Sequence, residues 1–123
     1  VLYDEVLWYR ATWCYGRILE LMGRFERAAH HLRRAQRIRE QVRETFWPTT
    51  APTAAPRPHR FADRQFALGD THYLLAELTP FSYNWRCDTY GNILAFLMNV
   101  LDLERARTAF RFMWGVGVNQ PWP

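Results

Sequence analysis

The residues with the strongest chemical potential fall in one short run, Asn84, Trp85, Arg86, Cys87, Asp88, Thr89, Tyr90, Gly91 and Asn92. Arg86, Asp88 and Asn92 can hydrogen-bond hydroxyl groups, and Trp85 or Tyr90 can stack on the flat face of a sugar ring. The alternative for the same residues is architectural: Asp88 caps a helix and Arg86 neutralises it. Hydrolysis of a glycosidic bond needs two carboxyl groups, one protonated and one acting as base or nucleophile. The chain has 12 acidic residues, and most sit on polar helix faces beside arginines; Asp88 is the exception. A sugar site requires Arg86, Asp88 and Asn92 to gather at one helix end beside Trp and Tyr. Scattered side chains, or an Asp88 occupied wholly in capping, would argue against it.

Other chemistries find little support. No phosphate-binding glycine loop, nucleophile elbow or zinc-binding H-E-x-x-H helix is present. His30 and His31 are adjacent on a helix, about 100° apart, which does not suit a shared metal. His59 and His72 lie near aromatic residues and read as structural. Cys14 and Cys87 are far apart with no C-x-x-C spacing, so they read as buried, reduced thiols. No metal and no cofactor is expected.

The composition is 49% hydrophobic and 16% aromatic, which excludes global disorder and points to either a broad interface or a carbohydrate site. All 16 basic residues are arginine, and the net charge is +4. Arginines from Arg24 to Arg43 are interleaved with Glu26, Glu40 and Glu44, as on a solvated helix face. A nucleic-acid surface would instead concentrate bases on one stripe, so no nucleic-acid partner is expected. The first residues resemble neither a signal peptide nor a translation start, and no apolar run reaches the roughly 18–20 residues of a membrane span. The expected setting is cytoplasmic, away from membranes.

The elements that must position these residues follow from periodicity. Asp4 to Met22 reads as a helix, with Leu7, Tyr15, Ile18, Leu19 and Met22 along one stripe. Trp8, Tyr9 and Trp13 widen that stripe, so cover on more than one side is expected. Gly23 ends the helix. A second helix, about Arg24 to Phe46, buries Phe25, Ala28, Leu32, Ala35, Ile38, Val42 and Phe46. Its polar face offers Arg37 with Glu40, and Glu40 with Arg43, as pairs. Pro48 stops it. Residues 48–58 form a proline-rich loop, and 61–68 could be a helical turn or a short extended piece. Thr71 to Leu78 has helical character, closed by Pro80. A third helix runs from Asp88 to Leu101. A fourth follows from Leu103 to Trp114, capped by Asp102, with Ala106, Ala109, Phe110 and Met113 inward. The fold class is therefore all-α, with helical hairpins over 1–47 and 60–118 and both ends reading as cut.

Leu78-Thr79-Pro80, then Arg86-Cys87-Asp88-Thr89-Tyr90-Gly91-Asn92-Ile93-Leu94-Ala95, then Leu101-Asp102-Leu103-Glu104-Arg105-Ala106 and Gly117 to Pro123 form an ordered series. That series resembles the six-hairpin glycosidases, particularly the alkaline/neutral invertases and the bacterial amylo-α-1,6-glucosidase-like proteins. In them an R-x-D-x-x-G-N element opens an inner helix after an irregular, strand-like piece. Glu5-Val6-Leu7-Trp8-Tyr9 resembles another helix start of these families, and Ala35 to Trp47 their outer helix. The resemblance implies consecutive αα-hairpins forming part of an (α/α)6 toroid. It implies a carbohydrate substrate of the sucrose or α-glucan type, with the catalytic acid before this segment and the base after it. Arg86, Asp88, Asn92 and Glu5 carry over as supporting substrate contacts, with Trp85 and Tyr90 beside them. The implied partners are the remaining hairpins of the toroid; helix faces left without them would self-associate.

A rival reading is a tetratricopeptide-like interaction module, because Gly16, Gly23, Phe25, Ala28 and Ala35 fall at the spacing of one such unit. Solenoids need about three or more copies, and the proline-rich loop breaks the period.

Overall fold

The computed structural model describes residues 1–49, 70–79 and 82–117. Among them the chain forms four helices and one two-stranded sheet: α1 (Leu2–Leu21), α2 (Phe25–Phe46), β1 (Leu75–Leu78), β2 (Tyr83–Cys87), α3 (Thr89–Leu97) and α4 (Leu103–Gly115). The architecture is mostly helical, as its apolar spacing requires.

Helices α1 and α2 form an antiparallel hairpin. Its turn depends on Gly23, whose φ of 72° lies in the left-handed region that side chains disfavour. The Arg24 amide donates to the Leu19 carbonyl at 2.8 Å and that of Gly23 to Glu20 at 3.0 Å, closing the end of α1. Helix α2 buries Ala28, Ala35, Ile38, Val42 and Phe46 of its expected stripe, while Phe25 is 68% exposed. Glu40 takes its hydrogen bond from Gln36, one turn earlier. The expected Glu40 pairs with Arg37 and Arg43 are not among the ion pairs of the described residues.

The inward face of α1 differs from expectation. Leu2, Val6, Tyr9, Gly16 and Leu19 are buried, whereas Tyr15, Ile18 and Met22 are exposed, as is Trp8. A helix apolar on most sides gives no single periodic stripe, so neighbouring elements choose the face.

The segment expected to be helical up to Leu78 is a strand over its last four residues. β1 pairs antiparallel with β2 through Leu75–Cys87, Glu77–Asn84 and Leu78–Tyr83, with an irregularity between Leu75 and Glu77. Leu, Ala and Glu favour helix locally, but so short a segment cannot nucleate one alone. Pairing with β2, and the full burial of Leu74 and Leu75, decide its conformation. The proline-rich loop from residue 50 to 58, and 61–68, lie outside the described residues. The chain is next described at Asp70, and the Thr71 amide donates to the Pro48 carbonyl at the end of α2.

Helix α3 is shorter than expected. It stops at Leu97 because Asn99 adopts a φ of 60° and turns the chain inward, burying Val100 and Leu101. Helix α4 begins at Asp102, whose carboxylate accepts from the Arg105 amide at 2.9 Å, and buries Ala106, Ala109 and Met113. Phe110, expected inward, is 43% exposed and meets Phe96 edge to face.

One apolar core joins these parts. Leu2, Val6 and Tyr9 from α1, and Ile38 and Val42 from α2, are continuous with Leu74, Leu75, Ala95, Val100 and Met113. The second helical pair does not repeat the first, since α1 and α2 have 20 and 22 residues and α3 and α4 have 9 and 13. No helix among the described residues is long and apolar enough to cross a membrane.

Candidate functional site

The site is built around the start of α3. Asp88 is its N-cap, in an extended conformation, and one carboxylate oxygen accepts from the Gly91 amide at 3.0 Å. The bond satisfies an amide that the first helical turn leaves without a partner. Gly91 is required by space. A Cβ there would press on the Asp88 carboxylate and lie 3.0 Å from Leu2 Cδ2. Its absence lets the cap close and brings the start of α1 against the start of α3.

Asn92 performs a different task from the one expected of it. It is 1% exposed, and its amide group grips the backbone of Leu74 from both sides. The Leu74 N–H donates to Asn92 Oδ1 at 2.9 Å, and Asn92 Nδ2 donates to the Leu74 carbonyl at 3.0 Å and to the Asp88 carbonyl at 2.9 Å. Burial and these three bonds leave no room for a sugar hydroxyl. Asn92 is thus a latch holding the chain entering β1 against the start of α3, and not a substrate contact.

The other expected residues divide between surface and scaffold. Trp85 and Arg86 are exposed on β2, and Tyr90 is 60% exposed in the first turn of α3. Tyr90 lies 5.5 Å from Tyr3 between ring centroids, and Trp85 meets Tyr83 at 5.3 Å. The Tyr73 hydroxyl donates to the Trp85 carbonyl at 2.6 Å, and the Tyr73 ring packs on Phe112, so α4 braces this strand from behind. Glu5 is half-buried in α1, within the helix end that reaches the site through Leu2 and Tyr3. Arg86 does not neutralise Asp88: no ion pair joins them among the described residues. The second carboxylate oxygen of Asp88 accepts no hydrogen bond there either. Asp88 is therefore a cap whose second oxygen accepts no hydrogen bond among the described residues, and Trp85, Arg86 and Tyr90 near it in the chain are exposed.

Cys87 lies between Arg86 and Asp88 and is half-buried. Burial first, and the negative charge of Asp88 second, push its thiol up to about 11. Burial also raises the Tyr73 hydroxyl, with a further contribution from Cys87. Among the described residues no three His, Cys, Asp or Glu side chains gather as a metal site. His30 and His31 meet edge to face at 5.2 Å, with Tyr15 beside His31.

The latch was missed in the sequence, although a signal existed. Asn92 stands on α3 one turn after a capping residue and is followed by Ile93, Leu94, Ala95, Phe96 and Leu97. An amide on the inward face of so apolar a helix must find buried polar partners. Comparison with protein-family models, curated proteins and solved structures gave no match to this chain.

Proposed function

We propose that this chain is a carbohydrate-binding part of a six-hairpin glycoside hydrolase, acting on a glucoside or fructoside of the sucrose or α-glucan type. The observation that carries the reading is the head of α3, where Trp85, Arg86 and Tyr90 lie exposed on either side of Asp88 along the chain. In this reading a ring takes the C–H face of a sugar, Arg86 donates to its oxygens, and Asp88 accepts from a hydroxyl. Asn92 and Gly91 act behind them by fixing the cap and the β2–α3 junction. The ordered resemblance from Leu78 through the Arg86–Ala95 run to Ala106 supports the same conclusion.

The two helical hairpins would form consecutive units of an (α/α)6 toroid. Neighbouring hairpins would then cover Trp8, Tyr15 and Ile18 of α1 and Trp114 of α4, which are all exposed here. The catalytic acid and base belong, in this reading, to hairpins outside this chain, so the site supplies binding and orientation and not bond cleavage. Titrating the chain with sucrose and isomaltose while following indole and Tyr90 ring resonances tests the binding surface. Saturable shifts at Trp85 and Tyr90, lost in Trp85→Ala, are expected; shifts confined to other residues would refute the assignment.

A further inference from the structure

A second site lies at the opposite end of α3. There a groove of about 380 Å³ opens between α1, α2 and the carboxyl end of that helix. Its lining includes Arg10, Trp13, Arg17, Arg39, Met98 and Asn99, and no carboxylate among the described residues. The Arg10 guanidinium lies 4.3 Å from the Trp13 ring centre, with Arg17 on the same ring at 5.9 Å. Arg17 pairs with Glu20, outside the groove. Neither Arg10 nor Arg39 has an acidic partner among the described ion pairs.

The Nε of Arg39 is buried with no hydrogen-bond partner among the described residues, as is that of Arg43 outside the groove. A buried guanidinium donor without an acceptor is costly, and structures rarely leave one so. No hydrogen bond from Arg10 or Arg39 to the last carbonyls of α3 is among those of the described residues. The carbonyls of Leu94, Ala95 and Phe96 accept from the amides of Met98 at 2.8 Å, Val100 at 2.7 Å and Asn99 at 2.9 Å. The arginines are therefore not capping the helix.

We propose that this groove binds the phosphoryl group of a small organic ligand. Arg10 and Arg17 from α1 and Arg39 from α2 line the groove. A planar carboxylate satisfies one guanidinium fork, whereas a tetrahedral, multiply charged oxyanion accepts from several directions at once. The volume falls near the lower end of the roughly 300–1,000 Å³ usual for small-molecule sites, enough for a phosphorylated sugar. The inference does not depend on the glycosidase reading, since it uses different residues at the other end of α3.

The test uses the full chain, 15N-labelled, with the arginine Nε–H resonances followed as inorganic phosphate and then pyrophosphate are added. Chloride holds the ionic strength constant, and malonate serves as the planar dicarboxylate. Saturable shifts at Arg39 and Arg10 are expected, with the half-saturating concentration rising about tenfold or more in Arg10→Gln and Arg39→Gln. Thermal melts check that both variants fold. If Arg39→Gln unfolds, the wild-type shifts and Arg10→Gln decide the matter. Linear shifts spread over all arginines, an unchanged affinity in Arg10→Gln, or malonate binding as tightly as phosphate would overturn the proposal.

Discussion

Replacing Asn92 with alanine removes the only side chain that bonds both backbone groups of Leu74 among the described residues. Leu74 is fully buried, so its N–H and C=O cannot turn to water when the amide is gone. Each buried group left without a partner costs about 1–3 kcal/mol, which puts Asn92→Ala at roughly 2–6 kcal/mol for the pair. The Asp88 carbonyl retains its bond from the Asn92 backbone amide and adds little to the loss. Against the roughly 5–15 kcal/mol typical of whole domains, that is a large share. Urea unfolding followed by far-UV circular dichroism measures it as a fall in midpoint at constant slope. Asn92→Asp sharpens the test, because an ionised carboxylate cannot donate to the Leu74 and Asp88 carbonyls. Burial raises that carboxyl in the folded state, so the variant is most stable below its unfolded value of about 4 and loses stability as pH rises through the folded one. A loss below about 0.5 kcal/mol in Asn92→Ala, the usual range of surface changes, would refute the latch.

The other expected outcomes concern the same corner of the molecule. Gly91→Ala forces its Cβ against the capping carboxylate of Asp88 and toward Leu2 at 3.0 Å, and a loss of about 1–3 kcal/mol is expected in the same unfolding assay. Asp88→Asn keeps a capping oxygen, whereas Asp88→Ala loses it at a cost of about 0.5–2 kcal/mol. In the glycoside hydrolase proposed above both are expected to lower turnover strongly; wild-type activity in Asp88→Asn with an unchanged melt would exclude a substrate role. Alkylation of Cys87 by iodoacetamide is expected to stay slow at pH 8 and to accelerate only toward pH 11. Because that pKa is raised from 9.0 to about 11, its contribution to stability is fully present below pH 9 and is lost as pH rises through 11.

Much of the helical frame was legible because local signals fix it. Gly23 needs a left-handed φ, Pro48 cannot continue a helix, and Asp88 and Asp102 cap the helices that follow them. The α2 stripe was readable because its opposite face is charged. The strand β1 was not, since Leu75, Ala76, Glu77 and Leu78 suit a helix and only pairing with β2 overrides that preference. The buried side of α1 was not legible either: apolar residues surround that helix, and packing against α2 and α3 makes the choice. At the site, Trp85, Arg86 and Tyr90 are exposed. The role of Asn92 depends on Leu74, 18 residues away, and such distant backbone partners leave little local pattern.

Sugar release by the hydrolase proposed to contain this chain, assayed on sucrose and on an α-1,6-branched glucan, tests the central claim most directly. The account predicts release from one of the two, reduced in Asp88→Asn. A well-folded protein releasing sugar from neither would contradict it.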